Sequence, residues 1–266
     1  MLSKSVRSYH WVILFLVLAT SGRSEGFDEY KRSLLALSNP VPKSSVTPII
    51  SAFGAQNGHL FAAVSYSDYD LQTNRPNDND GSLVIGMGFG DPNKNFGTEV
   101  AIGITSVSTA WWGDGKFADE GNLNFKFHKS VKSLAGDYAS IAFGASNALG
   151  WGGTREMDTN IYAAYSEKAF WGDFKQLSFT YSIGVGSAVA TGESDGAVFG
   201  GIGIGHSYYS GALGFIGKEG YLSGLWYPDF WPGASISYTR AGLLDKSIAS
   251  RGIVTIGYAL STKGFF

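Results

Sequence analysis

Three histidines, a serine beside one of them, a run of aspartates and a glycine-rich stretch are the parts of this 266-residue chain equipped for chemistry. A serine hydrolase needs a nucleophile, a histidine base and a group that orients the base. His206-Ser207 is the one adjacent pair, with His59 and His128 elsewhere. Neighbours along a strand point to opposite faces, so that pair does not make a hydrogen-bonded dyad. Asp68, Asp70, Asp78 and Asp80 cluster in SDYDLQTNRPNDNDG. Clustered carboxylates suit hard cations, but no bidentate acid follows at calcium-loop spacing, and the stretch reads as a solvated loop. The glycines of Gly200-Gly201-Ile202-Gly203-Ile204-Gly205 lack the Lys-Ser/Thr pair and the helix of a phosphate-binding loop. The absence of cysteine removes thiolate metal sites, cysteine nucleophiles and disulfides together. The expectation is a chain without catalytic residues, metal or cofactor.

The polar residues that remain are ordered by alternation. Glu99, Ala101 and Gly103 share one parity, while Val100, Ile102 and Ile104 share the other. Asn122, Asn124, Lys126 and His128 alternate with Leu123, Phe125 and Phe127. Ser178, Thr180 and Ser182 alternate with Leu177, Phe179, Tyr181, Ile183 and Val185. A β-strand puts successive side chains on opposite faces, so each run is a ribbon with one oily and one small or polar face. The last strand behaves likewise: Val254, Ile256, Tyr258 and Leu260 lie on one side, Thr255, Gly257, Ala259, Ser261 and Lys263 on the other, and Phe266 ends the chain.

About a dozen such ribbons fill residues 46–266. Short turns at 56–58, 91–93 and 134–137 alternate with longer polar loops at 68–81, 108–120 and 146–159. The segment Thr47–Phe53 is the doubtful ribbon: counted as a full strand it leads to 14, and left out it leads to 12, the favoured number. Trp111, Trp112, Trp151, Trp171, Trp226 and Trp231 fall at or just beyond strand ends, where an apolar ring with an N–H donor suits a membrane interface. Residues 1–24 read as a secretory signal: Lys4 and Arg7 precede the apolar core Trp11–Ala19, and small residues follow. Residues 25–45 form a separate piece, stopped by Asn39-Pro40 and Pro42, for which three roles are open: plugging the lumen, capping the periplasmic side or staying mobile.

Composition narrows the class further. Charged residues are 16% of the chain and glycine contributes 37 residues. Cleavage after Ser24 removes Lys4, Arg7 and Arg23 and leaves 17 basic and 22 acidic residues, a net charge of −5, with no basic face for nucleic acid. No run approaches the roughly 20 apolar residues of a spanning helix. Mean hydropathy is close to zero, as expected where only every second residue meets lipid. A soluble sandwich would dress its outer face with Lys, Glu and Arg. Here the second face is Gly, Ala, Ser, Thr and Asn, which suits an enclosed lumen.

These features together resemble the bacterial outer-membrane β-barrel proteins, porin-like in class. The carriers are the signal, the repeated amphipathic hairpins and the terminal strand Ile253–Phe266, where Leu260 and Tyr258 stand at alternate positions behind Phe266. The resemblance implies an all-β, transmembrane, antiparallel up-and-down barrel of about 12 strands in the outer membrane of a Gram-negative-type bacterium. Its implied partners are outer-membrane lipid and the barrel-assembly machinery, which would read Phe266. On this reading Glu99, Asn122, Asn124, Lys126, His128, Ser178, Thr180, Ser182 and Lys263 line the lumen, and Val254, Ile256, Tyr258 and Leu260 meet lipid. The expected function is a channel for small polar solutes or an envelope or export accessory. The alternatives are a lipid- or polymer-acting enzyme, for which the His-x-Ser-Asn-Gly motif of outer-membrane phospholipases is absent, and a structural barrel with partner-binding loops.

Overall fold

The computed structural model describes residues 14–17, 50–70, 75–105, 107, 117–171, 177–188, 196–205, 208–228, 230–231, 233–244 and 250–261. After a short β1 (Leu14–Val17), the wall comprises β2 (His59–Asp70), β3 (Arg75–Gly90), β4 (Gly97–Ile104), β5 (Gly121–Val131), β6 (Tyr138–Trp151) and β7 (Asn160–Trp171). It continues through β8 (Leu177–Gly186), β9 (Ala197–Gly205), β10 (Tyr209–Ile216), β11 (Glu219–Trp226), β12 (Ala234–Ala241) and β13 (Arg251–Ser261). Each of β2–β13 pairs antiparallel with its sequence neighbours, and β13 returns to β2. The result is the expected up-and-down barrel of twelve strands. Its base carries the start of β2 and the end of β13.

The seam is held at both ends. Leu60 pairs with Leu260 and Phe61 with Ala259 at the base, and Gly252 donates its N–H to the Asp68 carboxylate at 2.7 Å near the crown. Strand β1 runs beside this seam, pairing Leu14 with Val64 and with Thr255. It belongs to the expected signal core, and cleavage after Ser24 would leave the β13–β2 pairing to close the ring.

Alternation sorts the wall as the sequence predicts. Ser65, Ser82, Glu99, Asn124, Lys126, Ala142, Ser166 and Ser182 are buried inside, while Val64, Ile85, Ile102, Phe127, Phe143, Ile161 and Ile183 are exposed outside. Ile161 is 67% exposed, so the outer belt is apolar and uncovered by protein. Two expectations change. The stretch 68–81 is mostly not a loop, because β2 runs to Asp70 and β3 starts at Arg75, and the 146–159 loop begins only after β6 ends at Trp151. Thr47–Phe53 is not a wall strand, in keeping with the favoured count of 12; its described part, from Ile50, lies inside the barrel.

The glycines have a packing role that alternation alone does not reveal. Phe61 stands directly opposite Gly86, Tyr162 opposite Gly144, and Phe199 opposite Gly184. In each pair the inward ring folds flat over the bare glycine. A Cβ at Gly86 would lie 2.1 Å from Phe61 Cζ, and at Gly144 and Gly184 it would lie 2.2 Å from the facing ring. Cross-strand pairs are the unit of sheet stability, and a ring laid over glycine recovers the contact that glycine lacks. Gly144→Val should therefore destabilise the barrel by about 1–3 kcal/mol through overpacking, read as a lower urea midpoint in detergent micelles. The same change in a Tyr162→Ala background should cost distinctly less; an equal cost would show that the ring does not occupy the glycine's place.

Candidate functional site

A peptide segment passes through the lumen near the base, and the polar residues of the wall hold it. Residues 50–56, Ile-Ser-Ala-Phe-Gly-Ala-Gln, precede β2 and form no strand; Ile50, Ser51, Ala52, Phe53 and Ala55 are all buried. The strap turns into the wall at the base, where Gln56 O accepts from His59 N–H and Asn57 N–H donates to Gly90 O, both at 2.9 Å. The expected 56–58 turn is present, but it joins a strap to a strand rather than two strands.

Backbone buried without a ladder must find other partners, and here side chains of β4, β5 and β7 supply them. Ala55 N–H donates to Glu99 Oε2 at 2.8 Å. His128 Nε2 donates to Ala55 O at 3.1 Å. Lys126 Nζ donates to Phe53 O at 3.0 Å, and Ala52 N–H donates to Ser166 Oγ at 2.8 Å. Ser51 Oγ accepts from Phe53 N–H at 3.1 Å. Ser166 Oγ in turn meets Ser182 Oγ at 2.6 Å, so the grip reaches β8.

The charges in this grip are mutually compensated. Lys126 and Glu99 face each other across the β4–β5 pair, with Nζ 3.2 Å from Glu99 Oε1 and the lysine side chain fully covered. The second oxygen of Glu99 holds the strap. An ion pair taken out of water repays its desolvation only when its remaining lone pairs and protons are met, and the strap backbone supplies one bond to each partner, Ala55 N–H to Glu99 Oε2 and Phe53 O to Lys126 Nζ.

Glycines make the space. A Cβ at Gly54 would lie 2.5 Å from His128 Cδ2, one at Gly97 2.3 Å from His128 Nε2, and one at Gly88 2.4 Å from the carbonyl carbon of Ala55. These small inner residues therefore admit the strap.

The remaining predicted residues occupy varied settings. Asn122 and Asn124 are buried at the crown end of β5 and serve a local network. Asn124 Nδ2 donates to Asn122 Oδ1 at 2.7 Å, and Asn124 Oδ1 accepts from Asn147 N–H at 2.9 Å, beside the irregularity between Leu123 and Phe125. Asn147 Nδ2 reaches the carbonyls of Thr154 and Met157, fixing the crown connection after β6. Ser178 is buried with Oγ 3.5 Å from Gly205 O, and Thr180 is half-buried between Ser178 and Ser182. On β13, Leu260 is exposed, Ile256 and Tyr258 are half-buried, and Val254 is fully buried at the seam along which β1 runs. Tyr258 packs its ring 6.0 Å from that of Trp231 at the base. Lys263, Phe266, His206, Ser207, Trp111 and Trp112, and the segment 25–45, lie outside the described residues. The glycine-rich stretch 200–205 is part of strand β9.

A second compensated cluster went unread in the sequence. Near the crown, Arg251 Nη1 pairs with Glu219 Oε1, and Tyr221 Oη donates to Glu219 Oε2 at 2.5 Å; all three side chains are buried. Arg251 shares parity with Thr255 and Gly257, which is the signal that would have placed it inside. Comparison with protein-family models and with curated proteins finds no match to this sequence.

Removing one partner of a buried pair strands the other, at a cost of about 3–5 kcal/mol. Lys126→Met should lower unfolding stability by that order in detergent. Combining it with Glu99→Gln should recover much of the loss, and additive losses in the double variant would show that the two residues act independently.

Proposed function

We propose that this chain is an outer-membrane β-barrel whose lumen is a closed passage for small polar solutes, shut by its own strap. Several observations support the membrane address. The outward belt is exposed Val, Ile, Leu and Phe, an apolar surface far larger than soluble monomers expose. Strands such as β8, at 10 residues, match the roughly 9–11 residues a tilted strand needs to cross a bilayer. Export behind a cleaved signal, insertion by the barrel-assembly machinery and an outer-membrane location follow on this reading.

The strap carries the reading of a gate. Residues 50–56 join no ladder among the described strands: inside the lumen side chains of the wall bond their backbone, and Ile50, Ala52 and Ala55 pack into the buried apolar cluster. Such bonds can be exchanged for water one at a time, whereas the wall's ladder cannot. The strap follows residues 25–49 directly in the chain, so a force applied to that segment would act on it first. Non-enzymatic action fits the same geometry, because His128 spends its Nε2 on the strap backbone. With the strap gone, Glu99, Lys126 and His128 would face the passage and bias it towards polar solutes.

A static envelope barrel is the second reading, favoured by the compensated Glu219–Arg251 pair at the crown, which leaves that end as neutral as the base. Planar-bilayer recording separates the two. The mature chain should be silent, and a variant lacking residues 25–55 should conduct in steady unitary steps. A folded, heat-modifiable deletion variant that stays silent at all voltages would reject the passage and leave the static barrel.

A further inference from the structure

Glu167 differs from the other outward charges of this wall, Lys129 and Arg240, which are half-buried. On β7, Tyr162, Ala164, Ser166 and Lys168 face the lumen, and Glu167 has the opposite parity, with Tyr165 and exposed Trp171. Yet its side chain is only 1% exposed. The β5–β6 turn has folded over the outside of the barrel to cover it. Ala135 N–H donates to Glu167 Oε1 at 2.6 Å, Ser133 Oγ donates to the same oxygen, and the Gly136 N–H joins them. Leu134 N–H reaches Oε2 at 3.3 Å. From the wall, the hydroxyls of Tyr165 and Tyr181 donate to Oε2, Tyr181 at 2.8 Å. Six donors thus surround one carboxylate. The turn is pinned along the β7 edge as well: Asp137 N–H donates to Lys168 O at 2.9 Å, and Phe170 N–H donates to the Asp137 carboxylate at 2.8 Å. Gly136 is needed there, since a Cβ would come within 2.6 Å of Lys168 O.

What this cage presents is an apolar tip. Leu134 is 83% exposed, and it is held out beside a ladder of outward aromatic rings. Trp171 and Phe179 have centroids 5.8 Å apart, Phe179 and Tyr181 6.4 Å, and Tyr181 and Tyr165 6.0 Å. The ladder runs directly into the exposed belt at Ile183 and Val185. Lys132 stands exposed at the start of the turn, suited to a headgroup phosphate. Amphipathic rings, an exposed leucine and a neighbouring lysine match the depth profile of a bilayer boundary, apolar on one side and wet on the other.

We infer that the β5–β6 turn is a lipid-interface foot: Leu134 enters the headgroup–acyl boundary of the phospholipid leaflet at the base, and Glu167 is the positioning residue that folds the turn onto the wall. The inference rests on the outer-membrane reading. It makes the carboxylate an internal counter-charge for turn amides instead of a charge presented to lipid, and it fixes where the base-side boundary crosses the barrel.

The native chain has no cysteine, so Leu134→Cys and Ile183→Cys each accept a single environment-sensitive fluorophore. The labelled proteins go into phosphatidylethanolamine/phosphatidylglycerol vesicles containing lipids brominated near the headgroup or deep in the acyl chain. A label at 134 should be quenched at least twofold more by shallow than by deep bromines, and a label at 183 more by the deep set. Quenching at 183 with none at 134, where aqueous iodide quenches instead, overturns the foot and leaves the membrane reading standing. Absence of quenching at both positions overturns the membrane reading itself. Glu167→Ala should abolish shallow quenching at 134 without changing 183. Where that variant does not fold, Glu167→Gln, which aims an amide at the turn's N–H groups, should at least halve it. Unchanged quenching in either variant removes Glu167 from the positioning role.

Discussion

A backbone inside a closed β-barrel has no strand edge to join, because closure has already paired every edge. Any segment that enters must have its amides and carbonyls met by side chains, and the wall must be built in advance to meet them. That requirement explains why charged residues sit in this lumen at all. Glu99 offers one oxygen to Lys126 and the other to Ala55 N–H, and Lys126 divides its ammonium between Glu99 and Phe53 O. With the strap in place, its backbone meets polar atoms that it has taken out of water, and those side chains in turn hold the strap. The three glycines at 54, 88 and 97 belong to the same requirement, since side chain-to-backbone bonds demand an approach that a Cβ on either partner blocks.

The wall was legible in the sequence because its information is local. A strand's period of two needs only the next residue to declare a face, and Leu177 to Val185 declares it five times over. The pairing order follows from an up-and-down meander, so β2–β13 fall out of alternation plus turns. The strap was not legible for the converse reason. Ile50–Gln56 is short, uncharged and weakly alternating, much like a wall strand, and nothing in it specifies the lumen. Its partners lie 44 residues away at Glu99, 73 away for the Lys126 and His128 bonds, and 114 away at Ser166. Parity correctly put Glu99, Lys126 and His128 on one side of the wall, but it could not say that they converge on a peptide instead of a solute.

Glu99 and Glu167 show how far parity carries an argument about charge. Both are glutamates within wall strands, both are almost completely buried, and they face opposite sides. The lumenal one is neutralised by a cation on the adjacent strand. The outward one is met by hydroxyls and turn amides, and none of these donors is a basic side chain. A carboxylate that accepts several N–H and O–H donors is stabilised much as it is by a counter-ion, because the donors' dipoles converge on it. An outward charge that is nevertheless fully buried therefore marks a place where the chain folds back over its own wall. The clue was the proximity of a glycine-bearing turn, Leu134-Ala135-Gly136, to the end of the adjoining hairpin.

The two ends of the lumen differ in what their compensated charges can release. At the crown, Arg251 and Glu219 belong to the wall, on strands separated only by β12, and they satisfy each other whether or not anything enters. At the base, half of the partners are backbone atoms of a segment that joins the wall through residues 57–58. Withdrawing that segment would leave Glu99, Lys126 and His128 to be rehydrated together, so the cost of opening is concentrated in one cluster on β4 and β5. The ladder, the Gly–aromatic pairs and the crown ion pair would all survive it. A barrel arranged this way can change the state of its lumen without disturbing the wall that holds it in place.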